Sequence, residues 1–204
     1  MIKNIIFDFG QVMVRFEPAY MVGKYVSEPN DAQLLAEVVF DRLYWDRLDA
    51  GTISDTEVVE ACKARLPKRL HKATEEIYYN WIYNIPEIDG MSDLVGKLKN
   101  ERGIRVFLLS NISTYFAAHK DEIPSLRHFE KCIFSAVCGK TKPNADIFEY
   151  LCQECGIDPT ETLFVDDNAA NIAGGEACGI KGYLFDGDAK KLSLYLDRIL
   201  SKIE

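Results

Sequence analysis

An α/β fold, with a Rossmann-like parallel sheet between two helix layers and a helical bundle inserted into it, is what this 204-residue sequence predicts. Three observations carry the prediction. Short β-branched or aromatic runs recur at about 3–7, 104–109, 132–137, 162–165 and 181–185 with helical pattern between them, and that alternation builds parallel sheets covered on both faces. Between about 16 and 90 no such run occurs, and amphipathic stretches follow one another instead. Four of the runs end at or shortly before reactive polar groups: Asp8, Ser110, Lys142 and the pair Asp166-Asp167. In an open parallel sheet all carboxyl ends share one edge and ligands bind beyond it, so residues far apart in sequence can meet there.

The first run, Ile5-Ile6-Phe7, closes on Asp8 and a turn, Phe9-Gly10-Gln11. The stretches near 19–27, 31–48, 55–66 and 71–84 read as helices of a small bundle. Ser54-Asp55-Thr56-Glu57 matches a capping box, in which hydroxyl and carboxylate satisfy the first backbone donors, so a helix is expected to start at Ser54. The sheet begins before this segment and resumes after it. Residues 1–15 with 91–204 are therefore expected to form the α/β core and 16–90 an inserted cap, emerging beside Asp8 where it can act as a lid. Gly103, Gly139, Gly156, Gly179 and Gly187 fall between the later elements, where chain reversal needs a permissive backbone.

Composition narrows the function. A net charge of -8 argues against a nucleic-acid backbone as partner, since that needs clustered Lys and Arg. The six cysteines are scattered, and Cys152-x-x-Cys155 lies in a helical segment without the second pair of a zinc site, so all six are expected to be reduced thiols. Met1-Ile2-Lys3 leads straight into a strand, and no apolar stretch reaches the roughly 18–20 residues of a membrane span. A cytoplasmic location is expected.

A carboxylate at Asp8 can attack phosphorus and form an acyl phosphate that water later opens. A lone Asp after a strand is more often a turn cap, but its partners reverse that preference. Asp166 and Asp167 beside Asp8 would crowd like charges and raise one another's pKa unless a cation neutralises them. Magnesium suits such hard oxygen ligands together with phosphate oxygens. The bland reading of the pair, decoration of the helix that follows, can hold at the same time. Ser110-Asn111 could hold phosphate oxygens, and Lys142, ahead of Pro143 and a helix near Asn144, could neutralise nucleophile and phosphoryl group together. Lys140 is the alternative ammonium. Tyr44-Trp45-Asp46-Arg47 would suit a sugar face, although Tyr44, Trp45 and Leu48, like Tyr78, Tyr79, Trp81 and Tyr83, are more readily bundle core. His71 reads as helix-start surface, and His119 and His128 reach the edge only if their connection folds inward.

The order of motifs, Phe-Asp-Phe-Gly at the first strand, Leu-Leu-Ser-Asn at the second, Lys-Pro before a helix and Phe-Val-Asp-Asp-Asn-Ala-Ala-Asn in the last third, resembles the haloacid dehalogenase superfamily of phosphohydrolases. The resemblance covers nearly the whole chain and is similar to the bacterial sugar-phosphatase branch that includes glucose-1-phosphate phosphatases. It implies a magnesium-dependent phosphatase acting on small phosphorylated metabolites. Asp8 would be nucleophile and metal ligand, the Gly10 carbonyl a second ligand, and Asp167 a third, with Asp166 in or near the metal shell. Ser110 and Lys142 would bind phosphate with help from Asn111. One departure stands out: many such phosphatases carry an Asp two positions after the nucleophile as general acid and base, and here that position is Gly10. Proton transfer of that kind is worth about 10²–10⁴ in rate. Glu17, Asp46 and His119 are candidate replacements.

Three other readings compete. A 2-haloacid dehalogenase would use Asp8 on carbon without a cation, but the paired acids at 166 and 167 would repel its carboxylate substrate. A phosphoacceptor switch would gather the same residue types in another order and without a bundle. An inactive relative that only binds phosphometabolites would explain Gly10.

Overall fold

The computed structural model describes residues 1–200. The chain enters through β1 (Asn4–Phe7) and then builds the helices α1 (Pro18–Val22), α2 (Pro29–Val39), α3 (Trp45–Asp49), α4 (Asp55–Ala64) and α5 (His71–Asn80) before α6 (Met91–Asn100) leads back to the sheet. From there β2 (Arg105–Ser110), α7 (Thr114–Ala118), β3 (Lys131–Phe134), α8 (Ser135–Cys138), α9 (Ala145–Cys155), β4 (Thr162–Asp166), α10 (Ala169–Ala177), β5 (Lys181–Leu184) and α11 (Ala189–Leu200) follow.

All five strands run parallel in the order β3-β2-β1-β4-β5, which centres β1 between β2 and β4. Phe7 pairs with Leu108 on one side and Val165 on the other, so Asp8, Ser110 and Asp166 come off adjacent strand ends. The two-residue period of the strands splits the core. Ile5, Phe7, Val106, Leu108, Leu163 and Val165 pack with residues of α6 and α11 on one face. Ile6, Phe107, Leu109 and Phe164 pack with residues of α9 and α10 on the other. Helices α1 to α5 share an apolar cluster of their own, with Leu35, Val58, Val59, Cys62 and Ile77 at its centre. Two paired stretches carry the chain into and out of them: Arg15 donates to the Pro86 carbonyl (2.8 Å) and Ile88 to that of Met13 (2.9 Å).

The capping box forms as expected, the Ser54 hydroxyl accepting from the Glu57 amide (3.2 Å) and the Glu57 carboxylate from that of Ser54 (2.9 Å). Two elements depart from the sequence reading. The stretch 31–48 is broken after Val39, because Phe40 turns edge-on to Phe16 and Trp81 and the Asp41 carboxylate accepts from the Leu43 amide (3.1 Å), a local turn that competes with helix. The run 132–137 leaves the sheet at Phe134. There the buried Ser135 hydroxyl accepts from the Ile112 amide (2.9 Å), and Ser135–Cys138 coil into α8 with Val137 exposed. No helix among the described residues is long and apolar enough to cross a membrane.

Candidate active site

Beyond the carboxyl ends of β1, β2 and β4 lies a cavity of about 740 Å³ whose lining includes Asp8, Gly10, Ser110, Asn111, Lys142 and Asp167. Sheet geometry brings them together. The Asp8 amide donates to the Val165 carbonyl (2.9 Å), extending the β1–β4 ladder by one bond and anchoring the residue at the strand tip. Lys142 reaches the same point from the loop before α9. Its Nζ donates to Asp8 Oδ1 and Asp166 Oδ2, both at 2.7 Å, with the side chain only 2 % exposed. Asn111 holds that loop: its Oδ1 accepts from the Lys142 amide (2.9 Å) and its Nδ2 donates to the Lys142 carbonyl (3.0 Å). Both ends of the Asn111 amide are thus spent on orienting the lysine.

Charge is unevenly balanced. Burial works against the Lys142 ammonium, but Asp8 and Asp166 outweigh it and hold the group above the usual lysine range. Burial pushes the Asp8 carboxyl up to about 7, with Lys142 opposing the rise and Asp166 adding to it. Asp167, which opens to the cavity, is raised by burial and by the neighbouring Asp166. One oxygen from each of Asp8, Asp166 and Asp167 lies within 4.8 Å of the others. Three carboxylates facing one ammonium leave negative charge in excess, and that donor set fits a hard divalent cation.

Asp166 differs from the other two. Oδ1 accepts from the Asn168 amide (2.8 Å) and Asn171 Nδ2 (3.1 Å), and Oδ2 from Lys142 and again Asn171 (3.1 Å). A carboxylate offers about four lone-pair directions, so this residue is fully engaged inside the protein. It orients the lysine and the turn into α10.

The haloacid dehalogenase-like hydrolase family matches residues 2–179. The chain belongs to that family. The hydrolase is 27 % identical over 191 residues to a D-ribitol-5-phosphate phosphatase of Bacteroides thetaiotaomicron, an alignment spanning 90 % of this chain and 91 % of that protein. Among solved structures, a HAD-like family hydrolase from Porphyromonas gingivalis superimposes with a TM-score of 0.73 at 26 % identity, covering 99 % of both chains. A HAD family enzyme from B. thetaiotaomicron, in complex with magnesium and inorganic phosphate, shares the fold with a TM-score of 0.70 at 22 % identity, over 94 % of this chain and 99 % of that one.

Some of the other expected groups lie away from the buried cluster of the hydrolase. Lys140 pairs with Asp146 at the surface (3.2 Å) and takes no part in the buried cluster. His119 donates through Nδ1 to the Tyr115 carbonyl (2.8 Å) with its ring against that tyrosine, His128 packs on Gly96, and His71 contacts the Leu66 carbonyl (3.1 Å). Glu17 and Arg15 line a second, more open depression, which shares Gln11 and Asp167 with the main cavity. Trp45 serves two ends, packing edge-on to Phe16 at 5.1 Å and lining the main cavity with Asp46. Residues that sequence reasoning missed are Asn171, Asp49 and Asp55. Asp55 accepts from the Tyr78 hydroxyl (3.0 Å) and the Tyr115 amide (3.2 Å), tying α4 to the start of α7.

Proposed function

We propose that this hydrolase is a magnesium-dependent phosphatase of small phosphorylated metabolites, sugar or polyol phosphates among them, working through an aspartyl phosphate on Asp8. The observation that carries the reading is the Asp8 carboxylate at the strand tip, paired with buried Lys142 and with a carboxylate oxygen of Asp167 within 4.8 Å, at the cavity wall. Asp8 and Asp167, with the Gly10 carbonyl, would hold the cation, and Asp166 stands behind them because its oxygens are already engaged. A bound magnesium ion would supply positive charge for phosphate oxygens and for the crowded acids.

The chain's own residues do the rest. Lys142 keeps the Asp8 oxygen aimed into the cavity and offsets charge as the phosphoryl group arrives. Ser110, nearly buried at the tip of β2, offers a hydroxyl donor to the same group. Asp8 attacks phosphorus, the leaving oxygen departs, and water opens the resulting acyl phosphate. The ribitol-phosphate phosphatase relative and the fold relative holding magnesium and phosphate support this substrate class and cofactor. The bundle over the site supports a cap role, with side chains such as Trp45 and Arg42 available to a polyol.

A screen of phosphorylated metabolites with magnesium and with chelator, run beside Asp8→Asn, tests the proposal. Magnesium-dependent phosphate release that the variant lacks is expected. Release that persists in Asp8→Asn overturns the nucleophile, and chloride release from a 2-haloacid in chelator would favour dehalogenation.

A further inference from the structure

Gly10 leaves the reading above without a proton donor for the leaving group, and the structure points to a different source. Asp49 is the last residue of α3, on the bundle side of the cavity, and lines it together with Asp8 and Lys142. It is half-buried, and among the described residues no protein group donates a hydrogen bond to its carboxylate. The turn that follows is held firmly. Thr52 donates to the Arg47 carbonyl through both its amide (2.8 Å) and its hydroxyl (3.1 Å), and Gly51 donates to that of Leu48 (3.0 Å). Gly51 then sits directly on the core: at φ +69° a Cβ there would stand 2.6 Å from the Ala136 carbonyl oxygen. This close approach seats the end of α3, and with it Asp49, against α8 of the core.

We infer that Asp49 is the general acid and base of the reaction, a catalytic residue supplied by the inserted bundle in place of a side chain at position 10. The inference rests on the phosphatase reading. In the first step Asp8 forms its bond to phosphorus as the bond to the leaving oxygen breaks, and the protonated Asp49 gives its proton to that oxygen, releasing the alcohol. In the second step water attacks phosphorus and Asp49 takes the water proton. The acyl phosphate bond opens, and Asp8 returns as a carboxylate beside free phosphate. Asp46, on the same short helix, is exposed. Burial pushes Asp49 up to about 6, with Asp46 adding to the rise and Arg42 and Lys142 opposing it, and a carboxyl titrating there is suited to both roles near neutral pH.

The test compares an alkyl phosphate substrate with para-nitrophenyl phosphate, whose leaving group departs without a proton. Asp49→Asn should lose about 10²–10⁴ in kcat on the alkyl ester and only a few-fold on the aryl ester. Position 10 admits a side chain, since a Cβ there meets nothing within 4 Å. Asp49→Asn combined with Gly10→Asp should therefore recover much of the alkyl rate, which a merely misfolded variant would not do. An equal loss on both esters, or none on the alkyl ester, overturns the role of Asp49 and leaves the phosphatase reading standing. A parent enzyme inactive on both esters with magnesium removes the phosphatase reading and this inference with it.

Discussion

Replacing Lys142 by Met tests the charge balance on which the site rests. The ammonium lies 2.7 Å from an oxygen of Asp8 and 2.7 Å from one of Asp166, in a side chain 2 % exposed. Its removal strands two buried carboxylates. Breaking a buried pair from one side costs about 3–5 kcal/mol, a large share of the roughly 5–15 kcal/mol that keeps a domain folded. In a chain of this length about 1 kcal/mol moves Tm by roughly 2–4 °C, so the metal-free variant should melt about 6–20 °C below the parent.

The pH dependence has a definite sign. Asp8 is raised to about 7, so its contribution to stability is fully present below the ordinary carboxylate range near 4 and is lost as pH rises through 7. Without Lys142 that loss deepens. Thermal denaturation in chelator should show a small deficit at about pH 5 and a wide one at about pH 8, narrowing when magnesium is added. Lys140→Met is the control, because its pair with Asp146 is partly exposed on both sides and should be worth less than about 1 kcal/mol. A Lys142→Met protein that melts with the parent at alkaline pH, or no lower than Lys140→Met, would refute the argument.

Asp167→Asn should weaken magnesium binding in a calorimetric titration while leaving the Lys142 cluster intact; an unchanged affinity removes Asp167 from the ligand set. Gly174→Ala would place a Cβ 2.2 Å from the Pro143 carbonyl oxygen, next to Lys142. Overpacking of this kind costs about 1–3 kcal/mol, so both Tm and kcat should fall, and an unaltered Tm would show that the loop yields freely. Tyr78→Phe removes the hydroxyl that donates to Asp55, a bond worth about 0.5–1.5 kcal/mol. Because Asp55 keeps the Tyr115 amide as donor, urea denaturation should show a loss at the lower end of that range, and a larger one would mean the bond holds α4 to α5 more strongly than its geometry indicates.

How much was legible in the sequence follows from the range of the forces involved. The strands could be read because burial on both faces makes Ile5-Ile6-Phe7 and Leu163-Phe164-Val165 continuously apolar. Parallel pairing then sends Asp8, Ser110 and Asp166 to one edge whatever the helices do. The break after Val39 was not legible, because it depends on Phe16 and Trp81, one before and one long after it in the chain. Asn111 was expected to assist Ser110 and Lys142 at phosphate, and its hold on the Lys142 backbone, a contact across 31 residues, is something local pattern does not encode. Asp49 shows the same limit most sharply. At the end of a short helix an acid reads as a solvated face, and only the folded chain, in which Gly51 seats the end of α3 against Ala136 of α8, shows that Asp49 lines the same cavity as Asp8. Gly10 could therefore announce in the sequence that a proton donor was missing from its expected place, but which residue takes over is decided where the bundle meets the core.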